Sequence, residues 1–166
     1  MKRWKRSDPI IEQIRNVTST LTVPSPWDRM VFLQQVSESV GKEIRLLPLP
    51  PTMTTALPCG LVLERVDDVV IAYDTNRSGY HADHIVLHEI GHLLLDHADG
   101  ESDRSRRDTV GALLPGIDPT TVIRVLQRSD HDDTAERQAE LFASLVMSKS
   151  RTGPPGSLLR HAMFPD

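Results

Sequence analysis

Two histidines bracket a glutamate in the run His88-Glu89-Ile90-Gly91-His92-Leu93-Leu94. On an α-helix, residues four apart differ by about 40° in azimuth, so both imidazoles project from one face, a turn apart. Imidazoles held this way suit a divalent ion. Zinc with three protein ligands and an open fourth position is the catalytic form of such a site. Glu89 stands beside the first imidazole, where it can take a proton from water on the ion. The competing reading is an amphipathic core helix that carries two incidental histidines.

Two imidazoles leave an ion short of protein ligands. The candidates for a third are Glu101, Glu136, Glu140, His97, His131 and several aspartates. A carboxylate presented from a second helix is the most rigid solution, and the segment 136–143 offers one. Glu136 and Glu140 are four apart and share a face. Glu136 is the preferred ligand; Glu140 is placed to hold a ligand imidazole from behind and fix its tautomer. Two alternatives stand beside this reading. Asp133 with Glu136 forms a capping-box pattern, and the Glu136–Glu140 face can simply be solvated. His97 lies about 140° round from His92 on a continuing helix, so it is assigned to the helix C-terminus, where a cation is favoured. Gln138, about 200° round from Glu136, is expected to matter little to a metal.

Smaller signals surround the motif. His84 precedes His88 by one turn on the same face and is a candidate substrate or oxyanion contact. Tyr80 and Tyr73 are candidates for the hydrogen-bond donor that stabilises a developing oxyanion. Gly91 inside a helix is unfavourable by up to about 1 kcal/mol relative to alanine, which predicts close backbone approach by the Glu136 helix. Cys59, in Pro58-Cys59-Gly60, reads as a small buried thiol near a turn; a thiolate closing the open metal position is the alternative.

The run His88 to Leu95, followed by Glu136-x-x-Ala139-Glu140-x-Phe142-Ala143-x-x-Val146-Met147, resembles the ImmA/IrrE family of bacterial metallopeptidases. The resemblance covers roughly residues 60–148. In that family the first glutamate of the second block is the usual third ligand, which falls on Glu136. The resemblance implies a zinc-dependent endopeptidase, Zn²⁺ as cofactor, and a helix-turn-helix DNA-binding repressor or antitoxin as protein substrate. It therefore implies a role in transcription regulation or a toxin–antitoxin-like module. Two positions depart from the family pattern: Glu140 stands for Asn or Asp, and Val146-Met147-Ser148 for Leu-Met-Pro.

The remaining elements must position these groups. Ser7-Asp8-Pro9 reads as a cap with proline in the first helical turn, and Ile10, Ile11, Ile14 and Val17 form its apolar stripe. Ser25-Pro26 starts a second helix, with Asp28 in its first turn and Gly41 just past its end. Residues 44–49 read as an edge strand, and 50–59 as a Pro- and Thr-rich loop. Residues 61–65 and 69–73 form a hairpin turning at Asp67-Asp68. The second of these strands is a candidate sheet edge on which an extended substrate adds. A turn over 74–79 leads to the metal helix, from about Ala82 to Asp96. Residues 99–108 read as a mobile loop, Asp118-Pro119 as the start of another helix, and Asp132-Asp133-Thr134 as the cap of a helix running to about Lys149. Helices at both ends around one small sheet make the fold class α+β. The expected form is a mostly antiparallel sheet packed with helices, zincin-like, with the H-E-x-x-H helix as active-site helix.

A chain of 166 residues is one domain's worth, so residues 1–166 are read as a single metallopeptidase domain. Its loosely held ends are the basic run 1–6 and the tail 150–166. The net charge of −4 gives no electrostatic footprint for nucleic acid. No apolar stretch reaches bilayer-spanning length, and Ser7-Asp8-Pro9 interrupts any signal-peptide core, so no membrane association is expected. One cysteine excludes an intrachain disulfide and fits a reducing compartment; the expected location is cytoplasmic. The rival to catalysis is a zinc-containing sensor or binding protein that sequesters a regulator without cutting it. Glu89 discriminates between them, because a purely structural zinc prefers four protein ligands and has no use for a base.

Overall fold

The computed structural model describes residues 8–50, 60–75, 79–97, 103–126 and 133–151. Asp8 caps α1 (Pro9–Ser19), its carboxylate accepting from the Ile10 N–H. Asp28 caps α2 (Arg29–Val40), accepting from the N–H groups of Met30 and Val31. It is therefore the cap itself rather than a first-turn residue, and the Ser25-Pro26 bond before it is cis. Gly41 ends α2 at φ 71°, a left-handed conformation that glycine adopts without steric penalty.

The sheet has four strands in the order β1-β3-β2-β4: β1 (Glu43–Leu49), β2 (Gly60–Arg65), β3 (Asp68–Asp74) and β4 (Val122–Leu126). β2 and β3 form the expected hairpin, and β4 pairs antiparallel with β2. β1 pairs parallel with β3, so the sheet is mixed. This corrects the expected edge. The Val69–Tyr73 segment lies inside the sheet, with hydrogen-bonding neighbours on both sides, and the outer strands among the described residues are β1 and β4. Residues 69–72 are buried on both faces, the pattern of an interior strand. Pro48 sits on the outer strand β1, where a missing N–H interrupts least.

Two further expectations change. Asp118-Pro119 begins only a single 3₁₀ turn, Pro119–Thr121, before the chain enters β4. The β-branched run Thr120-Thr121-Val122-Ile123 outweighs the helix-start signal. The polar run at 99–108 is not all loop, since α4 (Asp103–Leu113) occupies most of it. Its burying residues, Val110 and then Leu114, lie beyond the polar stretch, four apart on one face. α3 (Gly79–Leu94) carries the H-E-x-x-H run and starts three residues earlier than expected. α5 (Asp133–Arg151) carries Glu136.

These elements enclose two apolar cores, one on each face of the sheet. On one face Val62, Val69, Ile71 and Leu126 meet Phe32 and Val36 of α2, Val86, Leu87 and Ile90 of α3, and Phe142 and Val146 of α5. On the other, Leu61, Leu63, Val70 and Ala72 meet Val110 of α4. Among the described residues no helix is long and apolar enough to cross a membrane. The basic run 1–6, the loop with Cys59, Glu101, His131, Asp132 and the tail from 152 onward lie outside the described residues.

Candidate metal centre

The contact between α3 and α5 brings the chemistry together, and Gly91 permits it. A Cβ on Gly91 would stand 3.0 Å from the Ala139 Cα and 3.3 Å from its carbonyl oxygen. The backbones therefore meet where both residues are small, as the glycine in the motif predicts. At this crossing His88, His92 and Glu136 each offer a ligand atom, all within 4.8 Å of one another. The Nε2 atoms of His92 and His88 are 3.1 Å apart. Glu136 reaches both, Oε2 lying 3.4 Å from His88 Nε2 and Oε1 3.4 Å from His92 Nε2. Side-chain exposure rises from 3% at His92 to 12% at His88 and 20% at Glu136, so the group is enclosed but reachable from one side. Two imidazoles and a carboxylate converging at this distance can hold a metal ion.

Glu89 projects from the same helix into the sheet, 3% exposed. Its side chain fills the space a Cβ on Gly60 would take: Oε1 lies 2.8 Å and Cγ 2.9 Å from that position. Oε2 of Glu89 is buried without a hydrogen-bond partner. Burial, with the nearby Glu136 charge adding to it, pushes the Glu89 carboxyl up to about 8. Such a group takes and keeps a proton far more readily than an ordinary carboxylate. Tyr73 pairs directly with Gly60 across the hairpin and belongs to the core on the α3 side. Its ring lies under the Arg29 guanidinium, 5.6 Å from the centroid, and Arg29 in turn pairs with Asp83 of α3.

The outer residues fall into place around the triad. Glu140, 57% exposed, lies between two histidines: Oε1 is 3.3 Å from His84 Nε2, and Oε2 is 3.7 Å from His88 Nδ1. Both contacts are ion-pair distances, and His84 meets Glu140 rather than the triad. Tyr80 opens α3 about 12 Å along the axis from His88 and stacks with Arg151 at the far end of α5. The structure does not bring it to the triad.

His97 lies at the helix end and Gln138 faces away from Glu136, as expected, but sequence reasoning missed the contacts that join both to His92. The angle that set His97 apart from His92 assumed a continuing helix. Instead Asp96 adopts φ 56°, and the chain closes on itself. The His97 N–H donates to the His92 carbonyl at 3.0 Å and the Asp96 N–H to Leu93, the left-handed closing turn that satisfies terminal carbonyls. That turn carries the His97 ring back over His92, their Nδ1 atoms 3.0 Å apart. The His97 Nε2–H donates to Gln138 Oε1 at 2.8 Å, and the Gln138 amide donates to Gln13 of α1 at 3.0 Å. Gln138 does face away from Glu136, yet it is buried and tied to the site through His97. The available signal was Asp96, one of the few non-glycine residue types that enter the left-handed region readily. Comparison of the chain with protein-family models, with characterised proteins and with solved structures finds no match.

Proposed function

We propose that this chain is a zinc-dependent endopeptidase of zincin-like organisation, resembling the ImmA/IrrE family, that cleaves a helix-turn-helix repressor or antitoxin in the cytoplasm. The observation that carries the reading is the buried Glu89 carboxyl, with an unbonded oxygen, beside a His-His-Glu set. A structural ion does not need such a group, and it prefers four protein ligands. Two histidines and one glutamate match a catalytic zinc site with an open position.

His88, His92 and Glu136 would hold the ion. When bound, zinc supplies Lewis acidity toward a peptide carbonyl and activates water at neutral pH. Glu89 then acts as general base: its carboxylate accepts the proton of the attacking water as oxygen adds to the carbonyl carbon. It returns that proton to the amine nitrogen as the C–N bond breaks. A carboxylate with raised proton affinity is the stronger base, and the positive charge of an ion held by the triad would keep it ionised at neutral pH, ready to accept that proton. The contact with Gly60 holds the side chain in place, and its burial keeps bulk water away from it.

Glu89→Gln is expected to retain zinc and fold while losing cleavage, because an amide cannot accept the proton. Elemental analysis, with co-expression alongside a helix-turn-helix regulator from the same gene neighbourhood, tests this. The wild type should give a shortened regulator and the variant an intact one. Cleavage at wild-type rate by Glu89→Gln would remove Glu89 from the mechanism. An intact regulator that co-purifies stoichiometrically with the wild type would favour sequestration.

A further inference from the structure

With the Gln138 amide placed to donate to Gln13, the hydrogen bonds behind His92 run in one direction when both rings are neutral, and that direction ends at the candidate metal position. Gln138 donates its amide N–H to Gln13 Oε1, which turns its own oxygen toward His97. An amide oxygen only accepts, so His97 must carry a proton on Nε2. A neutral imidazole has one N–H, which leaves His97 Nδ1 bare and able to accept. The facing atom, His92 Nδ1, is then the donor across the 3.0 Å contact. His92 therefore has its own Nε2 bare, and this atom faces His88 Nε2 and Glu136. A metal-binding histidine needs this tautomer, and a hydrogen bond at its other nitrogen is what selects it.

We infer that His97 is a positioning residue that sets His92 in its metal-ready tautomer, with Gln138 and Gln13 fixing the direction of the relay. The inference rests on the metal reading of the His88–His92–Glu136 group. It adds residues from three places in the chain: α1, α5 and the turn that closes α3. The turn is part of the device, because the left-handed Asp96 returns the His97 ring to His92. The relay also ties α1 to the site, since Gln13 is its last acceptor.

Two measurements test it. Long-range proton–nitrogen NMR of the metal-free wild type should show the His92 proton on Nδ1 and the His97 proton on Nε2. A His92 proton on Nε2 would overturn the inference whatever any variant does. Zinc affinity by chelator competition supplies the second test. His97→Leu removes the acceptor and should weaken zinc binding about 10–100-fold. His97→Asn places an amide oxygen close to where Nδ1 stood and should bind within a few-fold of wild type. Wild-type affinity in His97→Leu would overturn the inference while leaving the metal site standing, as would equal loss in both variants, which marks mere space filling. Failure of the wild type itself to bind zinc would sink the metal reading and this inference together.

Discussion

Glu136 sits where two explanations of one residue diverge in magnitude. As a metal ligand it supplies the only carboxylate of the triad, and Glu136→Ala should abolish tight zinc binding. As the end of a capping box it would contribute roughly 1 kcal/mol of helix stability, and its loss would leave zinc affinity intact. Its carboxylate oxygens lie 3.4 Å from both histidines, which favours the first. Metal titration of Glu136→Ala beside a thermal melt separates them; wild-type affinity in the variant would take Glu136 out of the site. Gly60 makes a parallel case from the sheet side. A methyl group there would stand 2.8 Å from Glu89 Oε1, so Gly60→Ala must displace that carboxyl. We expect zinc affinity near wild type in Gly60→Ala, with cleavage reduced by at least tenfold, read by parallel metal and activity assays. Unchanged cleavage would mean that Glu89 tolerates the shift or takes no part.

Helix propensity and helix packing make opposite demands at two glycines. Replacing a helix-interior glycine by alanine ordinarily stabilises by up to about 1 kcal/mol. Gly111 in α4 has only a Pro119 ring carbon at 4.0 Å from its would-be Cβ, so Gly111→Ala should raise the melting temperature. Gly91 meets Ala139 backbone at 3.0 Å, so Gly91→Ala should lower both melting temperature and zinc affinity by prising α3 from α5. Calorimetry of the two variants checks the signs; a stabilised Gly91→Ala would contradict the close crossing. The same distinction explains how much of the molecule was legible beforehand. His88, Glu89 and His92 lie on one rigid helix, whose periodicity fixes their relation, and Gly91 announced the neighbour that carries Glu136. His97 was not legible because a single left-handed residue, Asp96, reverses the chain, and no periodicity encodes that. β4 was misread because Asp118-Pro119 is a true start signal, but for one 3₁₀ turn. The position of β3 inside the sheet depends on pairing between distant strands, about which a local pattern is silent.

Across the whole molecule, charge networks and apolar burial share the work of holding the sheet and helices together. The Arg65 hydrogen bond beside Asp68 holds that carboxyl below the usual range, against the effect of burial. Burial pushes Glu64 upward, but Lys42 and Arg124 together outweigh it and leave its pKa lowered. Arg124 also pairs with Asp96, tying β4 and β2 to the turn that carries His97. A carboxyl with a depressed folded pKa stabilises fully above its unfolded value, here the ordinary 3.8 and 4.5. That contribution disappears as pH falls through the folded values, so melting temperature should begin to drop below about pH 4.5. Arg65→Gln should flatten the acid limb. Metal is a separate layer. Two apolar cores, with Phe32, Ile71 and Phe142 almost fully buried, surround a site whose helices already touch at Gly91. The fold should therefore stand without the ion, as expected for a chain of this length. Zinc at a thousandfold excess over Kd would add about 4 kcal/mol by mass action. For a chain this size that corresponds to a shift of roughly 10 °C. Chelation should thus lower the melting temperature by about that amount and leave the far-UV helical signal in place at 25 °C. Collapse of that signal on chelation would identify the ion as the staple between α3 and α5, and would favour a structural role over a catalytic one.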